Sequence, residues 1–290
     1  MAPKSPHTLS TAAQALNWSV RSLFATPIVR VSMLRCTPDD LGRSCEKCTV
    51  DNQLVFVTRG AFIKHTGKSA RVVNANAPAF FGAAETYRSS HLTPGGDTCA
   101  VFSFSDELLD EARVRAGPPC DGVDSLGLHA RALRIVAALH SREADALTLE
   151  EASLDILGLY LRSQSDHRRL GASAQALVRD VEAQLTADYS RAWSLTELSR
   201  QFRRTPFYLT RSFRRLTGVP LHRYLMDLRL GDALGRLAEG EQDLAALALD
   251  LGFASHAHFS TAFKKRLGSS PSSFRQGLVK NLKAGRPHPL

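Results

Sequence analysis

Two groups of side chains have the type and spacing to do chemistry. Cys45-Glu-Lys-Cys48, with Cys36 nine positions earlier, could converge on one soft metal ion or form a redox dithiol, and Lys47 and Arg43 would favour the thiolates. The same residues also fit free thiols in a loop before a strand. The second group is cationic and recurs at an offset of 50 residues: Arg214-Arg215 and Lys264-Lys265. Each pair follows an apolar position, Phe213 or Phe263, as a cation does on the open side of a short helix with one buried face. Cations in that setting suit phosphate oxygens.

The cationic pairs belong to a larger repeat. At the same offset Thr205 matches Ser255, Leu209 matches Phe259, Phe213 matches Phe263, Gly218 matches Gly268 and Tyr224 matches Phe274. Each unit reads as a short helix, a tight turn and a second capped helix, which is the helix-turn-helix arrangement. The punctuation is local. Ser194-Leu-Thr-Glu197 matches a capping box, Thr205-Pro206 an N-cap followed by proline at the first helical position, and Gly218 with Pro220 a stop. Asp243 and Ser255 can cap two more helices, ending near Gly252 and Gly268. Leu177, Val181, Leu185 and Tyr189 give a helix before the first motif, and residues 221–237 a connector between the two. A helix fits the major groove. Two motifs in one chain could therefore read successive groove segments, roughly 34 Å apart, without needing a palindrome.

The preceding part has another rhythm. Between residues 28 and 104, short runs such as Gln53-Leu-Val-Phe-Val-Thr and Cys99-Ala-Val-Phe-Ser-Phe alternate with Gly60, Gly67, Pro78, Gly82 and Pro94-Gly-Gly-Asp97, which predicts a small β-barrel or sandwich. Helical spacing from about Leu126 to Leu161 gives a pair of helices parted near residues 141–146, and polar residues 162–171 read as a linker. The helical pair could form a homodimer interface or pack on the β domain. Phe56, Phe62, Phe80, Phe81, Phe102 and Phe104 could line a ligand pocket or simply form the core.

Composition bounds the function. The 290 residues are 43% hydrophobic and 22% charged, as in ordinary globular chains, and suffice for about two domains. No apolar run approaches the length that spans a bilayer, and the first 20 residues lack an apolar core for secretion, so a cytoplasmic protein with no membrane partner is expected. Five cysteines, an odd number in a chain without a secretory signal, argue against a structural disulfide framework. The net charge of +9 is uneven: +1 over residues 1–170 and +8 over residues 171–290. A basic part beside a neutral one is the footprint of a nucleic-acid-binding domain.

Residues 174–277 resemble the AraC/XylS family of bacterial transcription regulators. The family pattern GF…HFS..FK..G..P..(F/Y)R stands here as Gly252, Phe253, His258, Phe259, Ser260, Phe263, Lys264, Gly268, Pro271, Phe274 and Arg275, and the connector fits through Arg229, Leu230, Ala233 and Leu237. The first turn, Phe202-Arg-Arg204, departs by having no glycine to match Gly252. Residues 53–104 resemble the cupin-like sensory domain that precedes the DNA-binding part in many relatives, on Gly60, Tyr87-Arg88 and Gly96-Asp-Thr-Cys99.

The resemblance implies an α+β chain. Residues 1–165 would be a cupin-like sensory domain with a helical pair, and residues 171–290 an all-α DNA-binding domain of two helix-turn-helix motifs joined by a connector helix. It implies a bacterial regulator, not an enzyme, with double-stranded promoter DNA, RNA polymerase, a small-molecule effector and a second copy as partners. Base-edge contacts would map to Phe207, Thr210 and Arg211 in the first motif, and to His256, Ala257, Ser260 and Thr261 in the second. Phosphate contacts would map to Arg214, Arg215, Lys264 and Lys265, while His258 beside the Ser255 cap would be structural. Metal-dependent cupin enzymes need a His-X-His pair; His7, His65, His91, His129, His140 and His167 are scattered, so no catalytic iron or manganese site is expected, and no cofactor, catalytic residue or metal ligand is assigned.

Overall fold

A computed structural model describes residues 18–37, 42–44, 46–116, 124–141, 145–163 and 171–280. Cys45, Cys120, His7, His167 and most of the expected linker lie outside the described residues. Nine strands come first: β1 (Trp18–Ala25), β2 (Val29–Cys36), β3 (Lys47–Cys48), β4 (Asn52–Gly60), β5 (Phe62–Thr66), β6 (Ser69–Val73), β7 (Ala79–Phe81), β8 (Thr86–His91) and β9 (Asp97–Phe104). Helices α1 (Asp106–Ala116), α2 (Ser125–Ser141), α3 (Ala146–Ser163) and α4 (Ala172–Ala187) follow. Then come α5 (Leu195–Gln201), α6 (Pro206–Thr217), α7 (Leu221–Ala238), α8 (Leu244–Asp250), α9 (His256–Leu267) and α10 (Pro271–Lys280).

The strands pair antiparallel as two sheets, in the orders β1-β2-β9-β4-β7 and β3-β8-β5-β6. No pairing among the described residues closes them into a barrel. The central strands β4 and β9 of the five-stranded sheet are buried on both faces, which explains why they are apolar at nearly every position. On β4 and β9, Val55, Val57, Cys99 and Val101 point into the sandwich against Phe62, Val73 and Phe81. The intervening Leu54, Phe56, Ala100 and Phe102 face the helices, against Leu128, Ile135, Ile156 and Leu157. The aromatic residues in question are therefore core, apart from Phe80, which is partly buried against the helical layer.

The helical pair forms where expected, on either side of residues 142–145. Helix α2 is enclosed on two sides. Leu128, Ala132 and Ile135 pack on the sheet, whereas Leu126, Ala130 and Leu133 pack with Leu230, Ala233, Leu234 and Leu237 of α7. Its apolar face is thus consumed within the chain and is not left for a second copy.

Helix α7 reaches the sheet domain through glycines. A Cβ on Gly235 would lie 2.1 Å from the Thr58 carbonyl oxygen, and one on Gly231 would lie 2.2 Å from the Ala75 Cβ. Polar contacts reinforce the seam. Asn74 Nδ2 donates to Tyr224 Oη and Thr186 Oγ1, both at 2.9 Å, and Asn76 Nδ2 donates to the Tyr224 carbonyl at 2.8 Å. Arg59 pairs with Glu239 at 2.7 Å.

Most histidines do separate structural work. His65 meets Ser90 Oγ at 2.8 Å, and His140 meets the Val136 carbonyl at 2.8 Å. His129 is buried beside Phe56, and burial pushes its pKa down to about 4. His91 is different: its hydrogen bond to Asp97, and a second with Cys36, push it up to about 9.

Candidate nucleic-acid interface

The two motifs are α5-turn-α6 and α8-turn-α9, joined by α7. The second helix of each motif, the one that would act as recognition helix, buries one stripe completely: Leu209 and Phe213 in α6, Phe259 and Phe263 in α9. The expected caps form. Thr205 Oγ1 accepts from Tyr208 N at 3.3 Å, Ser255 Oγ from His258 N at 3.1 Å, and Asp243 Oδ1 from Ala245 N and Ala246 N at 3.0 and 2.9 Å. Gly218 and Gly268 close α6 and α9 in the left-handed conformation, both at φ 76°. The capping box is half made. Ser194 Oγ accepts from Glu197 N at 3.1 Å, while the Glu197 carboxylate pairs with Arg191 instead of reaching back.

The missing glycine of the first turn has a physical account. The N-terminal helices of the two units align at an offset of 49, Ser194 with Asp243, and the recognition helices at 50, so the second turn is one residue longer. The residue matching Gly252 (φ 79°) is accordingly Arg203 (φ 51°), not Phe202. Their hydrogen bonds correspond: Arg203 N to Arg200 O and Arg204 N to Ser199 O, against Gly252 N to Leu249 O and Phe253 N to Ala248 O. A non-glycine residue in this region costs about 1 kcal/mol. Arg203→Gly should therefore raise stability by up to about 1 kcal/mol in urea unfolding, and a loss would contradict the strain.

The nominated contact residues gather on the open sides of α6 and α9. Phe207, Arg211, His256, Ala257 and Thr261 are exposed, while Thr210 and Ser260 are half-buried. Phe207 is 71% exposed, unusual for so large an apolar side chain at a helix start. Thr210 Oγ1 donates to the Pro206 carbonyl at 2.9 Å, and Ser260 Oγ sits 3.3 Å from His256 Nε2. Arg214, Arg215, Lys264 and Lys265 are all exposed. With Phe207, Thr210, Arg211, Pro220 and Leu221, the arginine pair lines a shallow groove beside α6. The His258 ring stands edge-on to Phe253 at 5.4 Å, a packing role.

The next cation, Arg266, turns inward. Its Nε and Nη2 donate to the Asp227 carboxylate of α7 at 2.7 and 3.0 Å, and the same guanidinium forks onto Asp124 at the start of α2. Arg229 is also inward. It donates to the carbonyls of Tyr189 at 2.8 Å, Arg191 at 2.9 Å and Gly252 at 2.7 Å, tying the second turn to the end of the α4 segment.

Residues 198–277 match the helix-turn-helix domain family. The HTH-type transcriptional regulator ExsA of Pseudomonas aeruginosa is 25% identical over 239 residues, 79% of either chain. The HTH-type transcriptional activator RhaS of Pectobacterium carotovorum is 30% identical over 146 residues, half of this chain and 52% of that one. The Msm operon regulatory protein of Streptococcus mutans is 26% identical over 110 residues, 38% of this chain and 40% of that one. ExsA apart, the chain thus spans about half or less of the length of these relatives. Among solved structures, ToxT from Vibrio cholerae aligns over 88% of this chain at 14% identity and a TM-score of 0.36.

Proposed function

We propose that residues 198–277, which match the helix-turn-helix domain family, form a DNA-binding domain of AraC/XylS type and that the chain is a bacterial, cytoplasmic transcription regulator that binds promoter DNA in a sequence-specific way. Residues 171–290 bind the DNA, and residues 1–165 control them. The observation that carries the reading is the pairing of two capped recognition helices, each buried on one side and open on the other, with exposed cations in the last turn. In the roles proposed, Phe207, Thr210, Arg211, His256, Ala257, Ser260 and Thr261 meet base edges, and Arg214, Arg215, Lys264 and Lys265 meet phosphates. A guanidinium can grip a guanine edge with two hydrogen bonds, which makes Arg211 the strongest discriminator.

Control through the N-terminal part is supported by the seam at α7. The connector that fixes the spacing of the two recognition helices lies backbone-close to β4, so an effector that shifts β4 would shift both motifs together. RNA polymerase, a small effector and a second copy are the partners this reading calls for. No chemistry of turnover is assigned to the chain.

Sequencing the genomic fragments retained by the purified protein at near-physiological salt tests the reading. Enrichment of a few upstream regions sharing two half-sites supports it; retention without any shared motif refutes specific recognition. Within an enriched site, Arg211→Ala should lose about 1 to 3 kcal/mol of discrimination at one base pair. Lys264→Ala should weaken all DNA about equally and reduce the salt slope by about 1. Equal loss of preference from both changes would contradict the division of roles.

A further inference from the structure

Strand register brings together three metal-ligating side chains that are remote in sequence. Cys36 ends β2 directly opposite Asp97, the first residue of β9, and His91 ends β8 in the other sheet. One ligand atom from each lies within 4.8 Å of the other two. His91 Nε2 and Asp97 Oδ1 are 2.7 Å apart, with side-chain exposures of 6% and 4%, whereas Cys36 is half-buried and opens the cluster towards solvent.

Two features build the site. The fully buried Cys99 thiol donates to Asp97 Oδ2 at 3.1 Å, which leaves Oδ1 directed at His91. Gly60, opposite Asp97 on β4, lets the backbones close together: a Cβ there would lie 2.1 Å from the Gly96 carbonyl oxygen. Asp97 is thus fixed from both its backbone and its outer oxygen, as a ligand is held by its surroundings in a metal centre.

We propose that Cys36, His91 and Asp97 bind one divalent ion of the zinc class at the corner where the two sheets meet. A mixed sulfur, nitrogen and oxygen set suits zinc or its neighbours, whereas calcium and magnesium take oxygen ligands. Tetrahedral bonds of about 2.0 to 2.3 Å separate ligand atoms by roughly 3.3 to 3.8 Å, so the present cluster needs only small side-chain movements. The fourth position faces the solvent side of Cys36 and takes water or an exogenous ligand. The site stands independently of whether the C-terminal part regulates transcription.

Titrating the chelator-treated full chain with cobalt(II) tests this. The expected result is one ion per chain, a thiolate-to-cobalt charge-transfer band, the intense visible bands of tetrahedral cobalt, and displacement by zinc. Cys36→Ser should abolish the charge-transfer band and weaken binding at least about tenfold, while Cys48→Ser should leave both unchanged. Asp97→Asn keeps the shape of the site and should also weaken binding about tenfold or more. Thermal melting identifies variants that remain folded, on which the comparison is made. Absence of any charge-transfer band in the unmodified chain, or a band that survives in folded Cys36→Ser or disappears in folded Cys48→Ser, overturns the proposal.

Discussion

Replacing Gly252 by alanine is expected to destabilise the C-terminal part by roughly 3 to 5 kcal/mol. At φ 79° a Cβ would lie 1.9 Å from the Ser190 carbonyl oxygen and 2.7 Å from its carbon. That obstacle is backbone, so relief requires the turn between α8 and α9 to move away from the segment after α4. The movement would also disturb Arg229, whose guanidinium spans the same gap to the Tyr189, Arg191 and Gly252 carbonyls. Gly268→Ala is the matched control: its φ is 76° with nothing within 4 Å of the added carbon, so it should cost only about 1 kcal/mol. Urea unfolding of the two variants side by side separates the clash from the dihedral, and equal losses would show that the close approach to Ser190 carries no weight.

The second large effect is expected from Arg266→Ala, at about 3 kcal/mol, because removing this partly buried cation leaves the buried Asp227 carboxylate charged and desolvated. The Asp227 side chain is 8% exposed and, among the described residues, would keep Arg223 as its one cation, 3.7 Å away and itself half in solvent. Asp124 would lose its cation too, and with it the link between the last turn of α9 and the start of α2. Lys264→Ala and Lys265→Ala, at exposed positions in the same turn, should change stability by less than about 0.5 kcal/mol. A melting midpoint for Arg266→Ala no lower than those two would refute the clamp. The contrast also separates stability from DNA affinity: the lysine changes should act on the second alone.

How far these features were legible from the sequence depends on the range of the physics behind them. Caps at Ser194, Thr205, Asp243 and Ser255, and stops at Gly218 and Gly268, are bonds between residues three or four apart, so type and spacing suffice to read them. The buried stripe of each recognition helix is equally local. The turn at Arg203 is hidden in the sequence because a single offset of 50 does not align it: the extra residue of the second turn shifts the match. Helix α1 presents Leu108, Leu109 and Ala112 to the core, a single turn too short to establish a period, and β1 is exposed along most of its length. Cys36 and His91 stand 55 residues apart, and only the order of strands across two sheets brings them to Asp97. Cys48, the second cysteine of the CxxC stretch, lies exposed on β3 and belongs to no metal-ligand cluster among the described residues. Glycines 231 and 235 read as ordinary members of a helix, yet they set how closely α7 meets the sheet domain.

The double burial of α2 bears on how such a chain can be rebuilt. Leu126, Ala130 and Leu133 share one apolar core with α7, α8, α9 and α10, although they precede the linker region in sequence. A cut at residues 164–170 therefore passes between covalent segments without passing between cores. The excised C-terminal piece would present the α7 face that Leu126 and Leu133 cover, and an N-terminal half grafted from another chain would have to supply both those leucines and a carboxylate in place of Asp124. Exchange of parts is thus constrained at α2: a working chimaera inherits this helix together with the helix-turn-helix half it packs against.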